Sequence, residues 1–484
     1  MRPTVRLTSV LALTVLALTA LAALPLAAQR PDSLSAEVRR YVTVDAAVVA
    51  LTRVTLIDGT GAAPKPDQTI VIRDGKIAAV GPSARVRIPD GARVLELAGH
   101  TVIPGLIGMH NHLFYTAAGG RASQMSYTAP RLYLASGITT IRTTGGRSPY
   151  AEINTKDAID NGRIPGPRVH LTAPYITGGA GGGSMAIVES PEAARRFVAY
   201  WSNEGATWLK AYTDIRAEEL GAAIDEAHKR GMKVTGHLCS VSYQEAVALG
   251  IDNLEHGMLT ASDFDPARTA DVCTPANIRP VREGTADPAG PVALETIRRM
   301  VERSVSMTST LVIYELFVAG RTTPDQRTLD AMSPEVRAAY QAVRHQIDST
   351  GRGLIALEGL RNAMAFDRAF VAAGGLLASG VDPTGLGGAL PGFGDQRNYE
   401  LFIEAGFTPA QAVRIMSANG AKILGVHDSL GTVEPGKLAD LVVLAGDLAA
   451  DPGVIRNVTT VFKDGIGYDS ATLIAAVKGR VGID

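Results

Sequence analysis

Between about Val102 and Gly425, β-type runs rich in branched and apolar residues alternate with helical patterns. Helices are predicted at 151–161, 191–203 and 217–230, after the second, third and fourth runs. Strands that alternate with helices predict a parallel sheet, and eight such units close a (β/α)₈ barrel. The predicted strands are 102–107, 138–143, 167–173, 206–212, 233–237, 251–256, 305–312 and 375–381.

Both ends of the chain are rich in β signals. Asp-Gly pairs at 74–75 and 464–465 each follow a β-type run and are typical of hairpin turns. Neither end has enough strands to close a core by itself. We therefore predict one small β-sandwich built from 47–101 and 429–484, beside the (β/α)₈ barrel domain at 102–428. Residues 29–46 are expected to be a loosely ordered segment.

The first 28 residues are typical of a secretory signal peptide. Arg2 and Arg6 precede an apolar run at 7–24, which ends in small residues near Ala28. This predicts an exported, periplasmic or secreted protein without membrane attachment after cleavage; an uncleaved anchor is the alternative. A formal net charge of −1 gives no indication of a nucleic-acid partner. The sequence leaves open whether the protein forms a homo-oligomer.

The sequence contains two cysteines, Cys239 and Cys273. In an exported protein they could pair. Cys239 lies two residues after a histidine at a strand end, so we expect a buried free thiol rather than a bridge.

Two histidines follow the first predicted barrel strand. In an extended segment residues i and i+2 share a face, so His110 and His112 can reach one cation while Asn111 points away. His237, His256 and Asp382 come at the ends of later predicted strands. Because strand ends converge on the catalytic face of a barrel, these five side chains predict a metal site.

Lys210 lies within a predicted strand that also contains Trp208 and Tyr212. The three residues share one face at period 2, so an inward face would bury an ammonium group. Burial without a partner favours the neutral amine, which can take up carbon dioxide to form a carbamate ligand. The alternative is a lysine that reaches solvent or pairs with an acid.

Several other residues have weaker signals. The glycine run at 178–183 lacks the spacing of a phosphate-binding loop and is predicted to rim the site. Residues 313–360 are too many for a simple loop and predict added helices over the catalytic face. Tyr115, Arg142 and Tyr212 occupy plausible positions for substrate contact, and His170 is interpreted as core or as support for a ligand.

These motifs together resemble the amidohydrolase superfamily of metal-dependent hydrolases, in its imidazolonepropionase-like or prolidase-related branch. The resemblance includes the lead-in at 102–107, the His110-Asn111-His112 motif, the later Lys210, His237, His256 and Asp382, and the ending at 436–443. It implies two divalent metal ions, with zinc the first candidate.

The resemblance also implies a role for each position. His110, His112 and Asp382 would hold the more buried ion, and His237 and His256 the more exposed one. A carboxylated Lys210 would bridge the two ions. Asp382 would act as the catalytic general base and then as the acid.

The predicted function is an exported binuclear amidohydrolase that cleaves amide bonds of dipeptides or N-acyl amino acids. One alternative is a mononuclear cyclic-amide hydrolase or deaminase of the imidazolonepropionase type, which needs no bridging lysine. The other alternative is a non-catalytic barrel that serves as a binding or assembly module.

Overall fold

A computed structural model describes residues 34–179, 185–321 and 325–483. The predicted signal peptide and residues 180–183 of the glycine run lie outside the described residues. Within them, no helix is long and apolar enough to cross a membrane.

Both ends of the chain contribute strands to one hydrogen-bonded sheet. Its order is β1-β21-β20-β19-β6-β2-β3-β4, and β5 pairs with β2. The sheet encloses a small apolar core of its own. This establishes the shared β unit, and its sandwich arrangement stays a prediction. The strands are β1 (Val42–Val44), β2 (Val48–Leu56), β3 (Lys65–Arg73), β4 (Lys76–Pro82), β5 (Arg93–Glu96), β6 (His100–Pro104), β19 (Leu441–Ala445), β20 (Val458–Lys463) and β21 (Ile466–Asp469).

The middle of the chain forms the parallel barrel. The predicted first strand, 102–107, divides at Gly105: β6 joins the small sheet and β7 opens the barrel. The barrel strands are β7 (Leu106–Asn111), β10 (Ile138–Thr143), β11 (Arg168–His170) with β12 (Thr172–Thr177), β14 (Trp208–Ala211), β15 (Lys233–Gly236), β16 (Asn253–Glu255), β17 (Ser306–Ser309) and β18 (Leu377–Ser379). Three short strands lie outside this series: β8 (Phe114–Thr116), β9 (Ala122–Gln124) and β13 (Ala186–Ile187).

The end of the eighth barrel strand lies against the first. The Asp382 backbone N–H donates to the carbonyl of His110 over 2.8 Å. A Cβ at Gly380 would lie 2.2 Å from the His110 backbone nitrogen, so only glycine permits this approach. The closure of the barrel therefore brings residues from its two ends into one site.

Helices follow most barrel strands, and those predicted at 151–161, 191–203 and 217–230 occur within one or two residues of these bounds. The long connection after β17 is helical, as predicted. The helices are α1 (Ala36–Arg39), α2 (Thr128–Ala135), α3 (Pro149–Asp160), α4 (Pro191–Asn203), α5 (Ala217–Lys229), α6 (Tyr243–Leu249), α7 (Arg279–Glu283), α8 (Pro291–Glu302), α9 (Leu311–Glu315), α10 (Gln326–Ala331), α11 (Pro334–Thr350), α12 (Leu357–Ala372), α13 (Phe393–Glu404), α14 (Pro409–Arg414), α15 (Gly420–Leu424) and α16 (Ser470–Val477).

The expectation of a loosely ordered segment at 29–46 is wrong for its described part. Helix α1 and strand β1 are ordered, and β1 pairs antiparallel with β21. Val38 and Tyr41 are buried, and Glu37 pairs with the buried Arg131 over 2.7 Å. Two apolar anchors are too few to create a periodic pattern, which is why the sequence did not indicate this contact.

The expectation of a free thiol is also wrong, because Cys239 and Cys273 form a disulfide. The chain after β16 turns back over the end of β15, where Asp271 donates its backbone N–H to the Ser240 carbonyl. Arg268 adds a contact to the same carbonyl at 2.9 Å. This return of an irregular segment has no periodic signal in the sequence.

A buried ion cluster joins the barrel to the small sheet. Arg168 in β11 donates to Asp440 over 3.1 Å and to Asp464 over 2.7 Å. Buried charges are tolerated when they are paired and hydrogen-bonded. The cluster fixes the orientation of the two units.

Candidate metal centre

All six predicted ligands surround one cavity of about 330 Å³ at the carboxyl ends of the barrel strands. The cavity wall contains His110, His112, Lys210, His237, His256 and Asp382. The ligand atoms of His110, His112 and Asp382 lie within 4.8 Å of one another and can hold a metal ion. The structure therefore brings all six predicted residues around one cavity.

His110, near the end of β7, and His112, just after that strand, are each held through one ring nitrogen, and the other ring nitrogen faces Asp382. His110 Nδ1 donates to the Glu255 carboxylate over 2.7 Å, and His112 Nδ1 donates to the Gly145 carbonyl over 3.1 Å. Their Nε2 atoms lie 3.6 Å and 3.4 Å from the Asp382 carboxylate. A proton held on Nδ1 leaves Nε2 as the ligand atom, which is the usual arrangement around protein-bound metals.

Asn111 points away from the cavity, as its register predicts. Its amide nitrogen contacts Asp395 at 3.4 Å, and its oxygen accepts from the Val381 backbone at 3.3 Å. Asn111 therefore supports the segment that carries Asp382, because Val381 immediately precedes that residue.

Two of the predicted ligands have a backbone conformation that is rare for their residue types. His256 has φ of 70° and Asp382 has φ of 47°, both in the left-handed region. Such strain persists only where the surroundings enforce it, and it concentrates at functional sites. At both positions the chain leaves its strand abruptly and the side chain faces the cavity.

His256 connects the two groups of histidines. Its ring centroid lies 4.5 Å from that of His110 and 4.4 Å from that of His237. Its Nδ1 contacts the Thr310 hydroxyl at 2.7 Å, whereas its buried Nε2 has no hydrogen-bond partner among the described residues. An orphaned buried imidazole nitrogen is the kind of atom that a metal ion satisfies.

Burial keeps these imidazoles neutral. It lowers the pKa of His237 to about 3, and it lowers the pKa of His110 and of His256 well below the usual value. Neutral imidazole is the form that binds metal, so the rings are ready to act as ligands at neutral pH.

Lys210 is 1% exposed and faces the cavity from β14. Its Nζ lies 3.9 Å from Glu255 and makes no hydrogen bond within the described part of the chain. Burial lowers the pKa of Lys210 to about 8, against the opposing effect of Glu255. A substantial fraction of the amine is therefore neutral near that pH.

Glu255 is the central residue that the sequence did not reveal. It is fully buried and accepts hydrogen bonds from His110, from Arg142 over 2.5 Å and from the Thr235 hydroxyl. Burial alone would raise the pKa of its carboxyl, but Lys210 and Arg142 lower it below the usual range. The one indication in the sequence is that Glu255 has an inward register in β16 and immediately precedes His256.

The residues with weaker predictions of substrate contact lie in different places. Tyr212 lines the cavity, whereas Tyr115 is buried and donates to the Gly387 carbonyl over 2.6 Å. Arg142 is buried beneath the site as the partner of Glu255. His170 lies on β11, outside the cavity wall.

Histidine and aspartate side chains that can hold a metal ion, gathered at the carboxyl face of a barrel, are typical of a metal-dependent hydrolase. The chain matches the amidohydrolase family over residues 101–467 and belongs to it. It is therefore a hydrolase that acts on carbon–nitrogen bonds, and the family is generally metal-dependent.

Two curated relatives each resemble most of the chain. A dihydroorotase from Pelotomaculum thermopropionicum is 26% identical over 398 residues, 79% of this chain and 86% of that protein. An imidazolonepropionase from Symbiobacterium thermophilum is 26% identical over 404 residues, 79% of this chain and 85% of that protein.

Solved structures share the fold. A Xaa-Pro dipeptidase with bound methionine in its active site has a TM-score of 0.64 at 22% identity and covers 87% of this chain and 100% of its own. A protein from Bifidobacterium longum that carries the provisional name prolidase has a TM-score of 0.60 at 26% identity, over 89% of this chain and 98% of its own.

Proposed function

We propose that this protein is an exported binuclear amidohydrolase that cleaves the amide bond before a C-terminal residue in dipeptides or N-acyl amino acids. One observation carries the proposal. Two buried nitrogen atoms, Lys210 Nζ and His256 Nε2, face one cavity and have no hydrogen-bond partner among the described residues. A single ion bound by His110, His112 and Asp382 leaves both atoms without a partner. A second ion gives each of them a role.

Lys210 would bridge the two ions as a carbamate. Its neutral amine forms a bond to the carbon of carbon dioxide and releases a proton, which converts an orphaned nitrogen into a carboxylate-like ligand. His110, His112 and Asp382 would hold one ion, and His237 and His256 the other. Bound divalent ions supply Lewis-acid activation of the attacking water and of the scissile carbonyl.

Asp382 would move the proton during hydrolysis. Its carboxylate takes a proton from the attacking water as the oxygen–carbon bond forms, and delivers it to the amide nitrogen as the carbon–nitrogen bond breaks. Burial alone would raise the pKa of this carboxyl, but its polar neighbours lower it well below its usual value, so it begins ionised; one of them is the Thr384 hydroxyl, which donates to the carboxylate over 2.8 Å. The products are a carboxylic acid and an amine.

Two observations support export. The apolar segment near the N-terminus is typical of a signal peptide. The disulfide between Cys239 and Cys273 is a bond that oxidising compartments maintain. N-terminal sequencing of protein recovered from a cell fraction tests the proposal, and full-length protein in the cytoplasm contradicts it.

The likeness to an imidazolonepropionase favours a second candidate, a mononuclear hydrolase or deaminase of cyclic amides. That reaction gives Lys210 no role as a bridging ligand. Because Lys210 Nζ has no hydrogen-bond partner among the described residues, it favours the binuclear site.

Elemental analysis and a substrate panel test the proposal together. Protein purified without chelator should contain about two divalent ions per chain. It should hydrolyse dipeptides and N-acyl amino acids, and Lys210→Ala should lose most activity and regain part of it with added short carboxylic acids. One ion per chain, together with turnover of a cyclic amide and none of a dipeptide or N-acyl amino acid, would establish the second candidate.

A further inference from the structure

Two arginines line the metal cavity without an ion-pair partner among the described residues. Arg147 and Arg282 both belong to its wall, and neither forms an ion pair with any described residue. Arg142, by contrast, is paired with Glu255. Asp382 is the one carboxylate among the described residues of the wall, and it lies 3.6 Å from His110 Nε2 and 3.4 Å from His112 Nε2.

The two guanidinium groups differ in setting. Arg147 follows β10, the second barrel strand; it is exposed and lies over the Phe114 ring at 5.5 Å. Arg282 lies in α7, after β16, the sixth strand and thus on the opposite side of the barrel. Arg282 is half-buried, and its buried Nε has no hydrogen-bond partner in the described chain. A cation withdrawn from water without a partner is costly, so Arg282 is the one that an anionic ligand would satisfy.

An apolar surface lies beside Arg282. Ile313 and Phe317, which follow the neighbouring strand β17, also line the cavity. The backbones of Arg282 and Phe317 are adjacent, because the Arg282 carbonyl accepts from Ala356 over 2.8 Å and the Phe317 carbonyl accepts from Ile355 over 3.5 Å. A ligand held by Arg282 therefore has an apolar wall within reach.

We propose that Arg282 binds the carboxylate of the substrate's C-terminal residue, and that the apolar side chain of that residue packs against Ile313 and Phe317. The substrate class is then an N-acyl or N-aminoacyl derivative of a hydrophobic amino acid with a free carboxylate. This rests on the proposed function, since the scissile amide must lie at the metal centre.

The test compares an acid with its neutral amide. N-acetyl-L-leucine and N-acetyl-L-leucinamide differ only in the group that Arg282 would contact, and acetate release reports cleavage of the same bond in both. In metal-replete enzyme, Arg282→Met should lower kcat/KM for the acid about 10- to 100-fold, chiefly through KM, because a hydrogen bond to a charged group is lost. The same variant should change kcat/KM for the amide by less than about threefold. Arg282→Lys should retain part of the preference for the acid.

Arg147→Met is the matched control, because Arg147 is the other arginine of the cavity wall that forms no ion pair with a described residue. It should leave the ratio of acid to amide within about threefold of wild type, since an exposed charge contributes little. An equal loss for acid and amide in Arg282→Met overturns the inference. A wild-type enzyme that does not prefer the acid also overturns it.

A binding measurement separates this inference from the proposed function. If wild-type protein cleaves neither compound nor any dipeptide or N-acyl amino acid of the substrate panel, the proposed function fails, and calorimetric titration of metal-replete protein with both compounds still tests the carboxylate site. Wild type should bind the acid about 10- to 100-fold more tightly than the amide, and Arg282→Met should bind both equally. Equal binding of the two compounds by wild type contradicts the role of Arg282.

Discussion

Replacement of Glu255 by glutamine tests the buried support of the metal centre. Glu255 accepts from Arg142 at 2.5 Å and from His110 Nδ1 at 2.7 Å, and its side chain is inaccessible to solvent. Glutamine keeps the shape and removes the charge. Arg142 then remains buried without a counter-charge, and His110 loses the carboxylate that holds its proton on Nδ1.

Both losses have a characteristic size. Breaking a buried ion pair by removing one partner costs about 3–5 kcal/mol of folding free energy. Loss of the group that orients a metal-binding histidine lowers metal affinity about 10- to 100-fold, or about 1.4–2.8 kcal/mol. Glu255→Gln should therefore unfold at a lower urea concentration and bind zinc about 10- to 100-fold more weakly in competition with a chromophoric chelator.

Glu295→Gln is the control, because Glu295 also contacts two arginines, Arg298 and Arg299, but on the exposed face of α8. It should leave the urea midpoint and the zinc affinity unchanged. If Glu255→Gln binds zinc within about threefold of wild type, the carboxylate does not set the orientation of His110 and the reasoning is refuted.

Three further changes have defined outcomes. Asp382→Asn should lower kcat about 10²–10⁴-fold with little effect on KM, because asparagine cannot take the proton; retention of more than about a tenth of kcat contradicts this. Cys239→Ala with Cys273→Ala opens a link across 34 residues and should cost about 4 kcal/mol by chain entropy, measured by urea unfolding, whereas an unchanged midpoint contradicts it. Burial raises the pKa of Glu152 from 4.5 to about 8, so the folded chain retains a proton that the unfolded chain releases in this window, and stability falls as pH rises through it. Glu152→Gln should flatten that decline in Tm between pH 5 and 8, and parallel curves for variant and wild type would show that Glu152 does not titrate in this way.

The predicted ligands were accessible from sequence because a parallel barrel gathers its strand ends on one face. His110 and His112 show their shared face through spacing alone, and Lys210 shows its inward register through Trp208 and Tyr212. Local patterns together with one topological rule therefore placed all six ligands around one cavity.

The features that sequence did not reveal depend on contacts between distant or irregular segments. Glu255 looks like an ordinary residue beside a histidine until Arg142, from another strand, is placed against it. Arg282 and Cys273 lie in the connection after β16, where no periodicity indicates which way the chain turns. Residues around Val38 pack through so few apolar anchors that no pattern forms.

The sheet shared by the two chain ends sets the order in which this protein can assemble. Thr101 in β6 donates its hydroxyl to the Gly446 carbonyl, 345 residues later in the chain. During synthesis, β6 must wait for β19 until nearly the whole polypeptide has emerged from the ribosome. Until then the edge of β6 that faces away from β2 is unpaired and open to association with other chains. Chains that stop before β19 should therefore be prone to aggregation even when every barrel strand is present, because the last strands complete a structure that the first ones began.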